Sequence, residues 1–143
     1  MCGISGILSN TDVSSIIFAK NFNKILRHRG PDGNGVWFSK KKDACFFHTK
    51  LAIQDLSNNG HQPMISASNR YVISFNGEIY NHLKLRKILP SINWKGSSDT
   101  QTLLELIEYF GVDEALDKIE GIFAFALYDT KKNKIFLARD KFG

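Results

Sequence analysis

A cysteine at position 2 has a chemical option closed to cysteines deeper in a chain. Removal of Met1 would leave Cys2 carrying both its thiol and a free α-amine. That amine titrates at roughly 7.7–8.0 when unperturbed. Near neutral pH it can therefore take the thiol's proton, directly or through a water. Nucleophile and base then share one residue, and no histidine is required. The plainer reading makes Cys2 a small buried residue opening a strand, and on Cys2 alone that reading prevails. Cys45, in the apolar run ACFFH, reads as a buried small hydrophobe.

Three further positions could serve a thiol that attacks an amide. Asn76-Gly77, after the apolar run YVISF, offers a side-chain amide and a backbone N–H at a strand end. Two such donors are what an oxyanion hole needs; a strand-exit turn is the plainer reading. Asp99, in SSDT, reads most simply as a helix N-cap, with binding of a substrate ammonium as the alternative. Lys50 could pair with a substrate carboxylate, although most lysines are solvated. His28, His48, His61 and His82 show no metal-ligand spacing in any combination, and neither does either cysteine. His28 and His48 read as structural, and His61 and His82 as lying in or beside loops.

The elements that must position these residues follow from periodicity and punctuation. Residues 3–8 read as a strand. A helix is expected over 13–27, where Phe18, Phe22, Ile25 and Leu26 recur at helical spacing. RGPDGNG at 29–35 reads as a loop. Strands are expected at 36–38 and 44–48, joined by a tip containing Lys40, Lys41 and Lys42. Residues 54–69 read as a long irregular connection. A strand at 71–75 is expected to stop at Asn76-Gly77, a pair that favours positive φ. Helices follow over 80–89, 99–110 and 113–118, with Gly111 closing the second. Strands at 121–128 and 134–138 end the chain. Strands grouped apart from helices predict an α+β layered domain.

The 143 residues suffice for one domain with its own core. Hydrophobic residues make up 43% and charged residues 23%, which argues against wholesale disorder. No apolar run approaches the ~18–20 residues of a membrane span, and MCGISGILSN does not read as a signal peptide. The cytoplasm is the expected setting. With no such span, a membrane is not an expected partner, and the net charge of +5 is spread along the chain, so nucleic acid is not one either. Trp37, Trp94, Phe46, Phe47, Phe123 and Phe125 read as packing rather than a stacking platform for bases. No phosphate-binding glycine loop is evident. The final ARDKFG carries no cap or polar tail and reads as a cut inside a longer polypeptide.

Taken in order, the motifs become specific. MCGISGI, HRGPDGNGVW (28–37), HTKLAIQDLS (48–57), GHQPM (60–64), FNGEIYNH (75–82), SSDTQTLL (97–104), GIFAFALYD (121–129) and ARDKFG (138–143) span the whole chain. It resembles the glutaminase domain of class II, N-terminal nucleophile glutamine amidotransferases, and within them the glutamine-hydrolysing asparagine synthetase family. The resemblance implies a four-layer αββα sandwich of two antiparallel sheets over residues 1–143. It implies Cys2 as nucleophile, Asn76 and Gly77 as oxyanion hole, and Glu78 and Asp99 at the glutamine amino group. Lys50, Leu51, Ile53 and Gln54 would line the glutamine pocket, with Lys50 at the α-carboxylate, and Arg29 would lie on a segment covering it.

It also implies L-glutamine as substrate and no cofactor in this domain. ATP and Mg²⁺ would serve a C-terminal synthetase domain after Gly143 that amidates aspartate. A sugar or another carboxylate acceptor, a non-catalytic glutamine-binding module and a homodimer remain open at this level. One departure stands out. The family commonly has arginine where this chain has Lys50, and lysine offers a mobile point charge in place of a two-bond grip.

Overall fold

A computed structural model describes residues 1–13, 21–22, 24–52 and 60–143 of the chain. Its elements run β1 (Gly3–Leu8), β2 (Gly33–Phe38), β3 (Ala44–Lys50), β4 (Met64–Ile65) and β5 (Tyr71–Ile79). Then come α1 (His82–Ile88), α2 (Asp99–Phe110), α3 (Val112–Lys118), β6 (Gly121–Asp129) and β7 (Lys134–Arg139). Both sheets are antiparallel, one ordered β1-β3-β2 and the other β4-β5-β6-β7.

Three apolar clusters stack these sheets into layers. Outside the first sheet, Phe22 stacks on Phe47 at 5.0 Å beside Val13 and Cys45. Residues 21, 22 and 24–26 are helical, and the rest of the helix expected over 13–27 lies outside the described residues. Between the sheets sit Ala44, Phe46, Val72 and Tyr128, with Trp37 against Tyr128. Beyond the second sheet, Ile73, Phe75 and Leu127 meet Leu85, Leu103, Leu106 and Ile107 from the helices. The α+β expectation and the helix–sheet–sheet–helix order of the resemblance both hold.

Period-2 alternation explains β3, whose residues Phe47 and Cys45 face the outer helical layer while Phe46 and His48 face β5. In α2, Ser98 accepts from Thr100 N at 3.2 Å and is the N-cap. Asp99 is thus the first helical residue rather than the cap. Gly111, at φ +86°, closes this helix by donating its N–H to Ile107 O. The sequence pattern predicts one apolar face, yet Asp99 to Ile107 are all buried. Arg86 of α1 is one reason: it stacks on Trp94 and donates to Thr102 Oγ1, Gly96 O and Ser98 O.

Several boundaries move. β2 begins at Gly33, inside the expected loop, and β4 adds two strand residues to the expected irregular connection. His82 opens α1. The largest correction is β5, which runs straight through Asn76-Gly77 to Ile79. Its register with β6 continues to Ile79↔Gly121, so the pair is strand, not turn. Long-range pairing overrides local turn preference here.

Leu106 is 0% exposed within the helix-side cluster. Leu106→Ala is expected to lower the unfolding free energy by about 2–5 kcal/mol. Urea unfolding, with the midpoint lowered and the slope unchanged, is the check.

Candidate active site

A cavity of about 140 Å³ opens where the two sheets and the start of α2 meet. That is space for a small molecule, well below the ~300–1,000 Å³ of sites for drug-sized ligands. From the first sheet it receives Cys2, beside the start of β1, and Lys50, at the end of β3. From the second sheet come Asn76, Gly77 and Glu78, and from the first turn of α2 comes Asp99.

The sulfur of Cys2 is fixed by the backbone that follows β3. Leu51 N–H donates to Sγ at 3.3 Å, and Sγ lies 3.7 Å from Leu51 O. Gly3 N–H donates to Thr49 Oγ1, which donates in turn to Leu26 O. The start of β1 is thereby held to both β3 and the helical stretch. Met1, 57% exposed, also lines the cavity.

On the opposite wall, Asn76 Oδ1 is buried without a hydrogen-bond partner among the described residues. A Cβ at Gly77 would overlap Ile122 O and Phe123 Cα, and φ there is +156°. Only glycine lets β5 approach β6 this closely.

Asp99 is 6% exposed. Its Oδ2 accepts from Ile79 N at 2.8 Å and its Oδ1 from Thr100 N at 2.7 Å. Burial pushes its carboxyl above the usual range, and those two amides pull it back. A cation arriving in the cavity would offset the cost of burying this charge. Glu78, exposed, lies on the same wall. With Lys50 also on the cavity wall, the lining carries both signs of charge, as a zwitterion requires.

Residues 1–143 match the family model described as "Glutamine amidotransferase domain" from end to end. The chain belongs to the glutamine amidotransferase domain family. It is 38% identical over 145 residues to "Asparagine synthetase [glutamine-hydrolyzing] 1" of Arabidopsis thaliana, aligning all of this chain with 24% of that protein. It is 39% identical over 148 residues to a probable glutamine-hydrolysing asparagine synthetase of Dictyostelium discoideum, aligning with 26% of its length. The chain thus spans about a quarter of the curated relatives it matches. Among solved structures, glutamine phosphoribosylpyrophosphate amidotransferase from B. subtilis superposes with a TM-score of 0.77. That match covers 98% of this chain and 37% of the other at 21% identity, and it establishes the shared fold.

For this amidotransferase domain, most of the residues singled out by sequence converge. Cys2, Lys50, Leu51, Asn76, Gly77, Glu78 and Asp99 all line the cavity. Arg29 does not: it is exposed, in the turn after residues 24–26. Ile53 and Gln54 lie outside the described residues. The sequence reading gave no role to Gln62, Ser98 or Thr100, which also form the wall. Gln62 stands in the matched GHQPM segment, but a buried glutamine in a turn-rich stretch leaves no periodic signal.

His48 lines the cavity as well, 1% exposed. Its Nε2 lies 3.2 Å from Phe75 O, and a carbonyl can only accept, so Nε2 carries the proton. Nδ1 has no partner among the described residues. Burial pushes the imidazole down to about 4, so His48 is neutral at physiological pH. The unfolded chain, with histidine near 6.5, binds this proton first as pH falls. The stability linked to His48 is therefore complete above pH 6.5 and is lost progressively between 6.5 and 4. A shift from 6.5 to about 4 corresponds to a loss of about 3 kcal/mol. Urea unfolding of wild type and His48→Gln at pH 7, 5 and 4 should show that part of the acid loss only in wild type.

Proposed function

We propose that this chain hydrolyses the side-chain amide of L-glutamine, delivering ammonia to a synthetase domain elsewhere in its polypeptide. The observation that carries this reading is the convergence on one cavity of Cys2, Lys50, Asn76, Gly77, Glu78 and Asp99, drawn from separated stretches of the chain. Asp99 and Glu78 receive the α-ammonium of glutamine, and Lys50 its α-carboxylate. Removal of Met1 does two things: it frees the Cys2 amine and takes one side chain out of the cavity wall.

The chemistry then follows. The Cys2 amine takes the thiol proton, and the sulfur attacks the amide carbon. The negative oxygen that develops is met by the Asn76 side-chain amide and the Gly77 N–H. As the C–N bond breaks, the protonated amine returns its proton to the leaving nitrogen, and ammonia departs. Water adds to the thioester, releasing glutamate and restoring the thiol. This domain uses no cofactor in that scheme. Similarity to glutamine-hydrolysing asparagine synthetases supports aspartate as the ammonia acceptor, with ATP and Mg²⁺ acting in the synthetase domain.

Intact mass measurement after exposure to 6-diazo-5-oxo-norleucine, a glutamine analogue that alkylates an activated thiol, tests the reading. Loss of Met1 with one adduct is expected, and none in Cys2→Ala. Glutamate release that survives in Cys2→Ala would sink the assignment. Asn76→Ala should lower kcat by about 10²–10³-fold with the fold preserved. Lys50→Arg should lower KM for glutamine, because two parallel hydrogen bonds replace a point charge. An unchanged KM would remove Lys50 from the carboxylate.

A further inference from the structure

One edge of β5 shows how the Gly77 N–H is kept available. In an antiparallel strand alternate residues direct both backbone groups to the same edge. Phe123, the β6 partner of Gly77, uses its backbone on the β7 side: its N–H donates to Asp140 Oδ2, and its C=O accepts from Asp140 N, both at 2.9 Å. The Gly77–Phe123 pair is therefore not hydrogen-bonded. Tyr71, Ile73, Phe75, Gly77 and Ile79 all turn their backbone groups away from β6.

On that edge, Ser66 takes both backbone groups of Tyr71, and β4 pairs Met64 with Ile73. Beyond this point no strand continues among the described residues, and side chains take over. Phe75 N–H donates to Gln62 Oε1 at 2.6 Å, and Phe75 C=O accepts from His48 Nε2. Ile79 N–H donates to Asp99 Oδ2. Gly77 stands between two clamped residues, and neither β4 nor a side chain among the described residues takes its N–H.

Gln62 does more than accept one bond. It is 7% exposed, and its Nε2 donates to Thr100 Oγ1 at 3.3 Å in the first turn of α2. Its backbone is backed by Gly35 of β2, where a Cβ would overlap Gln62 O. One amide side chain thus joins β5, beside Asn76, to the turn that carries Asp99. An amide accepts at its oxygen and donates at its nitrogen without carrying charge.

We propose that Gln62 is a positioning residue for glutamine hydrolysis: it takes the Phe75 N–H where the β4 pairing has ended, presents the Gly77 N–H to the cavity and locks that wall to the Asp99 turn. This rests on the glutaminase reading above. Gln62 does not touch the reacting atoms, so its effect falls on kcat through the geometry of the oxyanion donors.

The test is Gln62→Leu in the full chain, which keeps the volume and removes both polar ends. Displacing rather than deleting a donor should lower kcat for glutamate release by about 10- to 10²-fold, with KM within about 3-fold of wild type. Alkylation of Cys2 by iodoacetamide, which needs no oxyanion hole, should keep its rate. Hydrogen–deuterium exchange should quicken in the peptide spanning residues 71–79. Wild-type kcat in a folded Gln62→Leu, or equal slowing of glutamine turnover and iodoacetamide alkylation, would overturn the proposal. Should Gln62→Leu fail to fold, Thr100→Val releases only the Nε2 end. It should lower kcat by a few-fold with KM held, and an unchanged kcat overturns the proposal. A wild type that releases no glutamate removes the glutaminase reading and the role of Gln62 with it. A wild type that turns over beside an unimpaired variant removes the proposal alone.

Discussion

Backbone amides buried on the edge of β5 beyond β4 must find partners, and that demand organises the site. β4 supplies a strand only as far as Ile73. The next groups on the same edge are met by His48 of β3, Gln62 of a loop and Asp99 of α2. An unpaired buried amide costs about 1–3 kcal/mol, so these three side chains hold three different elements against one strand. The position left open among them, Gly77, is also the one where β6 leaves no room for a Cβ. A backbone donor with no partner among the described residues, on the wall of the cavity, is what a developing oxyanion would use.

The two sheets contribute different parts of the cavity. Cys2 and Lys50 belong with the first sheet, and Asn76, Gly77 and Glu78 with the second. Their relative placement therefore depends on the bonds that cross between sheets. His48 to Phe75 O is one, and Ser74 Oγ donating to Phe47 O at 3.3 Å is another. Both meet β5 within two residues of Asn76. Sheet packing is non-directional where apolar side chains such as Ala44, Phe46, Val72 and Tyr128 meet. The two polar crossings supply direction where the chemistry needs it.

Charge is arranged with equal economy. Asp99 is buried but receives two backbone amides, which keep a carboxylate tolerable there. His48 is buried and neutral, so it adds no positive charge to the cavity wall. An ammonium group entering beside Asp99 and Glu78 would meet negative charge to which the neutral histidine adds no opposing charge. The proposed glutamine orientation follows from this polarity.

The sequence by itself determined much about this protein. The segments from MCGISGI to ARDKFG, in order, carry the family resemblance. Periodicity placed nearly every strand and helix among the described residues, because alternation and 3.6-residue spacing are local properties. Cys2, Asn76, Gly77 and Asp99 were visible as chemistry-bearing types. The tertiary structure alone decided that Asn76-Gly77 lies within a strand. A pair with strong turn preference is overruled by a ladder running to Ile79↔Gly121, and that ladder depends on residues more than forty positions away. It alone decided that Ser98, not Asp99, caps α2, freeing the Asp99 carboxylate to reach Ile79. It alone revealed Gln62, whose neighbours Phe75 and Thr100 lie 13 and 38 residues along the chain. A hydrogen bond between distant residues leaves no spacing pattern to read, so the donors and acceptors that hold this site in shape emerge only once the chain has folded.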